Sequence, residues 1–260
     1  MSKKNGKLYF LGTGTSQGIP VIGCKCDTCL SNNPKDKRFR SSVHVVYNGN
    51  NIQIDTGPDF RTQLLHNNIT NVDAILFTHE HQDHIAGLDD VRPIIFKTGL
   101  AMPIYGQNRV INRIRKVYDY AFRKQTYPGA PRIVTHTIND SSPFFINGVE
   151  VIPIPLIHGQ LPILGYRIGE MAYLTDTNMI PEKSMSLLCD LDLLILDALH
   201  HNKHFSHFNL EQALLQAEKI GARQTYFIHM SHHMGTHDLV EDQLPRGMNL
   251  AYDGLEVEFS

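Results

Sequence analysis

Thr78-His79-Glu80-His81-Gln82-Asp83-His84 is the stretch whose reading decides the fold. It follows a short apolar run, 74–78, and leads into a helical pattern. In an extended or turning segment, residues two apart face the same side, so His79 and His81 reach one ion together. Asp83 and His84 follow on the turn into the next element and reach a second ion. Neutral imidazoles with a carboxylate suit zinc, manganese or iron. Histidine is the commonest metal-binding side chain, and the chain has 15 histidines and no tryptophan.

Outward from the motif, apolar runs at 42–47 and 51–55 flank Asn48-Gly49-Asn50-Asn51, a strong hairpin signal. Further runs cover 149–157, 166–168, 171–175, 193–196 and 224–228, the second and third flanking a Gly-Glu turn. Four of them stop at His158, Asp176, Asp197 and His229. Metal-competent groups therefore recur just past buried strands, where a rigid scaffold presents reactive side chains. Three of these complete a two-ion site. His79, His81 and His158 would hold one ion, and Asp83, His84 and His229 the other. Asp176 is the natural bridge, since a carboxylate has two oxygens. Helical periodicity occupies 85–96, 109–123 and 210–220, with Asn209 as cap of the last and Gln212 at the box position. A final hairpin is expected to turn at Asp253-Gly254. Strands mixed with helices predict an α+β chain, with sheets covered by helices on their outer faces in αββα layering.

Length and charge bound the function. The 260 residues suit a single domain spanning 1–260, and a net charge of −2 argues against a polybasic nucleic-acid module. Residues 1–7 lack the apolar core of a signal peptide, and no run approaches the roughly 20 apolar residues of a membrane helix. A cytoplasmic location and no membrane partner are expected. Cys24, Cys26 and Cys29 lie in an N-terminal loop at about 20–40. Disulfides are not expected without export, and the spacing reads as three corners of a structural zinc site. Cys189, inside an apolar run, reads as a small core residue. Between Lys97 and Arg132 stand eight Lys or Arg and one acid, Asp119. With Val110, Ile114, Val117 and Ala121 on one stripe, the segment is either a positive rim that draws in phosphorylated substrate or a solvated helix face. Gly12-Thr-Gly-Thr-Ser16 is a weak candidate for offering backbone N–H groups to phosphate.

Taken together, His79-Glu-His-Gln-Asp-His84, His158, Asp176 and His229, with Ile54-Asp55-Thr56-Gly57 before them, resemble the metallo-β-lactamase superfamily over 8–259. Within it the chain looks like the PhnP-type phosphodiesterases, which cleave phosphoribosyl cyclic phosphate. Leu11-Gly-Thr-Gly-Thr-Ser-Gln-Gly-Ile-Pro20, Gly23-Cys-Lys-Cys-Asp-Thr-Cys29, Leu174-Thr-Asp-Thr177, His229-Met-Ser-His232 and Tyr252-Asp-Gly-Leu255 carry that likeness. The resemblance implies a metallo-β-lactamase-like four-layer sandwich with two divalent ions (Zn, Mn or Fe) at one edge and one structural zinc. It implies Asp55 as a residue that orients a ligand, His232 as the fourth corner of the cysteine site, and His207 as general acid, with Asp83 serving both as ligand and as catalytic carboxylate. His200, His201 and His204 have no such match and read as a polar loop near the site. The expected chemistry is hydrolysis of a cyclic or linear phosphodiester by a metal-bridging hydroxide, on a small phosphorylated substrate, in a possible homodimer. The competing readings are a tRNA 3′-processing nuclease, for which the chain lacks the long RNA-binding arm, and a PqqB-like metal-binding protein of cofactor biosynthesis.

Overall fold

The computed structural model describes residues 6–123, 127–140 and 142–260. Residues 1–5 of the N-terminal reading and Lys124 of the basic segment lie outside it. The N-terminal half builds one sheet from β1 (Gly6–Gly12), β2 (Ser42–Tyr47), β3 (Asn50–Ile54), β4 (Ala74–Leu76), β5 (Met102–Gly106) and β6 (Ile133–Thr137). The C-terminal half builds a second from β7 (Phe144–Ile146), β8 (Val149–His158), β9 (Leu161–Ile168), β10 (Met171–Leu174), β11 (Leu193–Asp197), β12 (Gln224–Ile228) and β13 (Met248–Leu250). The last strand, β14 (Glu256–Phe259), returns to the first sheet beside β1, giving the orders β14-β1-β2-β3-β4-β5-β6 and β13-β12-β11-β10-β9-β8-β7.

Strand side chains alternate between two buried environments, which is why the runs read as continuously apolar. Leu76, Tyr173, Leu193 and Ile195 enter the core between the sheets. Their neighbours Ile75 and Phe77 pack on the outer face of the first sheet, under helices that include Asn108–Val117. Leu174, Leu194 and Leu196 pack on the outer face of the second, under Leu210–Ile220. The αββα order expected from the sequence follows directly. At Asn48 and Gly49, φ values of 50° and 78° form the β2–β3 turn, and the Asn209–Gln212 capping box is reciprocal at 2.9 and 3.1 Å.

Several expectations need correction. The Asp253-Gly254 turn joins no hairpin: β13 pairs with β12 in one sheet and β14 with β1 in the other. The Asp253 carboxylate is committed instead to Thr13 Oγ1 (2.7 Å) and the Phe39 amide (2.5 Å), which pins the crossing between sheets. The 85–96 helix is broken into Gln82–Ile85, a 3-10 turn Leu88–Val91 and Arg92–Thr98. The break is at Gly87, whose N–H donates to Thr56 O at 2.8 Å and where a side chain would collide with the Gly57 carbonyl. The 109–123 helix ends at Val117 and gives way to a 3-10 turn, Asp119–Ala121. Cys189 is exposed, not core, because the chain turns at Asp190 (φ 55°) after Leu188 has filled the inward position. Strands β1, β5, β6 and β7 were not anticipated; β6 carries exposed polar positions that blur its alternation.

Parallel pairing of β3 with β4, of β10 with β11 and of β11 with β12 brings the carboxyl ends of all five strands to one edge. The sheets are tied together there, by Tyr166 Oη donating to Phe77 O (2.6 Å) and Leu164 N to Thr78 O (3.2 Å).

His44 of β2 is buried against Gln53 Oε1 at 3.3 Å, and burial lowers its pKa to about 4. An unfolded chain, with an ordinary histidine near 6.5, binds the extra proton first. His44 therefore costs stability as pH falls from about 6.5 to about 4. His44→Gln should flatten the decline in urea-unfolding free energy over that window; an unchanged slope would contradict a neutral buried His44.

Candidate active site and metal centre

Four strand ends deliver the predicted residues to one cluster. His79 follows β4, His158 ends β8, Asp176 follows β10 and His229 follows β12. His79, His81 and His158 come together, as do Asp83, His84, Asp176 and His229, with ligand-type atoms within 4.8 Å of one another in each group. The two groups adjoin: His79 Nε2 lies 3.8 Å and His84 Nε2 3.2 Å from the same oxygen, Asp176 Oδ2.

Three of the imidazoles, those of His84, His79 and His158, are aimed by a contact on Nδ1. Asp55 is fully buried and accepts from His84 Nδ1 at 2.7 Å, from Thr78 Oγ1 at 2.8 Å and from the Thr78 amide at 2.9 Å. Asp55 thus orients His84 and braces the start of the motif without entering the cluster. Thr78 Oγ1 also contacts His79 Nδ1 at 3.0 Å. His158 Nδ1 donates to Ser206 O at 2.8 Å. Such partners fix the tautomer and leave the opposite nitrogen for a ligand. The Asp-Thr-Gly run has its own steric reason. A side chain at Gly57 would strike the Asp83 carbonyl, so only glycine lets the motif lie against this loop.

The chemistry of the donor set fits cations. Asp55, Asp176 and Asp197 are buried, and Asp83 stands beside them. Burial pushes Asp176 upward, but His229 and His84 outweigh it and hold its carboxyl well below the carboxylate range. Burial opposes a charge on His84, yet Asp176, Asp83 and Asp55 raise its pKa well above an ordinary histidine. Burial, then the charge on His84, drives His79 well below, and burial lowers His158 to about 4. Neutral His79 and His158 and an ionised Asp176 are the ligand forms for divalent ions, while the proton that the carboxylates favour on His84 is the charge a cation would displace. His229 is most telling. It is buried, its backbone is in the left-handed region (φ 60°), and neither ring nitrogen has an aligned hydrogen bond, although Nε2 lies 3.1 Å from Asp176 Oδ2. A strained, buried imidazole with unspent nitrogens suits a metal ligand.

Asp197 is a site residue that sequence reasoning left out of the ligand set. Its Oδ1 lies 3.0 Å from His207 Nδ1 and 3.4 Å from His229 Nδ1, and its Oδ2 accepts from the Phe208 amide at 3.2 Å. Asp176, Asp197, His207 and His229 form a further group of ligand-type atoms. The signal was present, since β11 stops at Asp197 as β10 stops before Asp176. Burial raises the Asp197 carboxyl and lowers His207. The His207 ring stacks on His229 at 4.6 Å between centroids.

The central amides of the Gly12–Ser16 run are already spent. Gly14 and Thr15 N–H donate to Phe39 O and Met230 O at 2.8 and 3.0 Å, so the run braces the loop of His229 instead. In the basic segment, Arg109 reaches the motif, with Nε 3.3 Å from Glu80 Oε2. Arg115, Arg123 and Arg132 are engaged by Thr135, Asp119 and the Gly99 carbonyl at 2.6 Å each.

Cys24, Cys26, Cys29 and His232 form a second group within 4.8 Å, with the Cys24 and Cys26 sulfurs each 3.3 Å from His232 Nδ1. The His232 contact lowers Cys26 to about 6, while burial raises Cys29 to about 11. Three cysteines and one histidine at this separation are the donor types of a structural zinc site.

A family model described as a beta-lactamase superfamily domain matches residues 50–230. The chain belongs to the metallo-β-lactamase superfamily. A solved structure titled a new diphosphatase from the PhnP family superposes with a TM-score of 0.92 at 43% identity, covering 98% of this chain and 97% of that one. An octanoyltransferase of Porphyromonas gingivalis is 42% identical over 253 residues, 96% of this chain but 51% of that protein. A ribonuclease Z of Methanococcus maripaludis is 26% identical over 167 residues, 62% of this chain and 47% of its own length. The chain spans about half the length of these curated relatives. Among the described residues, no helix is long and apolar enough to cross a membrane.

Two outcomes are expected. Asp55→Ala should free the His84 ring and weaken divalent-ion binding about 10- to 100-fold, read by calorimetric titration; unchanged affinity would remove its orienting role. Cys26→Ser should lower the melting temperature before it alters turnover, because structural zinc contributes folding energy. Equal stability would contradict a metal at the cysteine cluster.

Proposed function

We propose that this chain is a metal-dependent phosphohydrolase that cleaves a cyclic or linear phosphodiester on a small substrate. The observation that carries the reading is the pair of adjoining ligand groups, His79/His81/His158 and Asp83/His84/His229, with the Asp176 carboxylate between them. Two divalent ions held there would lower the pKa of a water and neutralise charge on the non-bridging oxygens of phosphorus. Zinc, manganese and iron all suit the donors.

The protein's own groups do the rest. Asp55, Thr78 and the Ser206 carbonyl keep the imidazoles in register, so the ligand set is organised before substrate arrives. His207 supplies the proton that the leaving alkoxide needs. Asp197 Oδ1 lies 3.0 Å from its Nδ1 and fixes the ring, which leaves Nε2 to face the leaving group. Asp83, half-buried at the cluster's rim and 3.4 Å from His84 Nε2, completes the second ion's ligands.

A second reading, cleavage of a phosphoanhydride, uses the same groups. It draws on the relative named a diphosphatase, which matches nearly the whole chain. The octanoyltransferase name attaches to a protein about twice as long, and a site of imidazoles and carboxylates supports hydrolysis.

Asp83→Ala and His84→Ala should lower bound metal and phosphodiester turnover together, checked by elemental analysis alongside kinetics. Activity that survives metal loss would defeat the reading. His207→Ala should keep its metal and lower kcat by about 10²- to 10⁴-fold, least for a nitrophenolate leaving group. An equal loss for every leaving group would strip His207 of its acid role.

A further inference from the structure

Phe205 is out of keeping with its surroundings. It is 80% exposed, while residues 206–209, which follow it, are buried. Single exposed apolar side chains are ordinary on protein surfaces, but this one stands at the mouth of the site. A methyl group built on Gly159, the residue after His158, would lie 3.7 Å from the Phe205 ring and 3.4 Å from Ser206 Cβ. The ring therefore lies over a glycine, with no side chain between it and the His158 loop. On its other side, the His204 ring is 4.8 Å away between centroids, and His204 is in turn 5.2 Å from His207.

The support is rigid. The Gly159 amide donates to Asn178 Oδ1 at 2.6 Å, and His158 Nδ1 donates to Ser206 O at 2.8 Å, so the loops on either side of the ring are clamped to each other. A held aromatic ring, open to solvent and two residues from His207, is a surface on which a flat apolar group can rest.

We propose that Phe205 is a stacking platform for a planar ring carried by the substrate, a nucleobase one sugar away from the scissile phosphate. The inference rests on the phosphohydrolase reading and deepens it, since a nucleotide joins a phosphate ester to a planar ring through one sugar. Stacking discriminates little between bases, because every base has a π face. Affinity should therefore depend on the presence of a base more than on its identity. Phe205 touches no reacting atom in this role; it positions the substrate.

The chain has no tryptophan, so Phe205→Trp creates a single fluorescent reporter at the platform. The full-length, metal-supplied variant would be titrated with 5′-AMP and with ribose 5-phosphate. AMP should quench the emission and ribose 5-phosphate should not. By calorimetry, the wild type should bind AMP about tenfold more tightly than ribose 5-phosphate, within the range stacking supplies. Phe205→Ala should abolish that preference and leave ribose 5-phosphate affinity unchanged. Because the side chain is exposed, folding is not at stake, and Phe205→Tyr should retain the preference. Equal binding of the two ligands by the wild type, or a preference that survives in Phe205→Ala, overturns the platform. If hydrolysis of the nucleobase-free diester methyl p-nitrophenyl phosphate persists in that case, the phosphohydrolase reading stands without it. If no phosphate ligand binds and no phosphoester is cleaved, both fall.

Discussion

A set of buried carboxyl groups at one edge of two packed sheets is the constraint on which the rest of the structure depends. Asp55, Asp176 and Asp197 are taken out of water beside Asp83, and a buried carboxylate is tolerated only where it is paired, hydrogen-bonded or coordinated. Asp55 resolves its charge locally, through Thr78 and His84. Asp197 divides its oxygens between His207 and the Phe208 amide. Asp176 faces His79, His84 and His229 at once, and only Thr175 Oγ1, at 2.7 Å, hydrogen-bonds its other oxygen. That imbalance, together with imidazoles whose remaining nitrogens converge on it, is the electrostatic demand that divalent cations meet.

The fold serves that demand through strand polarity. Side chains past the carboxyl ends of β3, β4, β10, β11 and β12 meet because those strands run parallel within each sheet and the sheets are joined near Thr78. The core between the sheets fixes their separation, and the outer helices cover faces that would otherwise expose Phe77 or Leu196. The same logic explains the left-handed backbone at Asp55 (φ 62°) and His229. Both leave a strand and must turn sharply, His229 to enter the cluster and Asp55 to reach His84 from behind it, and the surrounding packing absorbs the cost.

Much of this was legible in the sequence, and the reasons are specific. The ligand residues stood out because imidazoles and carboxylates ended apolar runs, a contrast that survives without knowledge of pairing. The layering followed from apolar strand runs mixed with helical patterns. What failed depended on long-range contacts. The break at Gly87 reflects a backbone approach to Gly57 across 30 positions, which helical periodicity does not register. The turn at Asp253-Gly254 has hairpin residues, but its aspartate answers to Thr13 and Phe39 on the far side of the chain. Asp197 was seen as a strand end and not as a site residue, because its role is set by where His207 and His229 fall in space. Cys189 read as core from its apolar neighbours, although one turn residue, Asp190, reverses its direction.

The most direct test of the cation site is anomalous scattering from crystals of the purified, metal-supplied protein. We expect two peaks per chain at the edge of the sheets, one within bonding distance of His79, His81 and His158, the other of Asp83, His84 and His229, with the Asp176 carboxylate touching both. A well-ordered, catalytically active crystal whose histidines close on one another with no metal between them would contradict it.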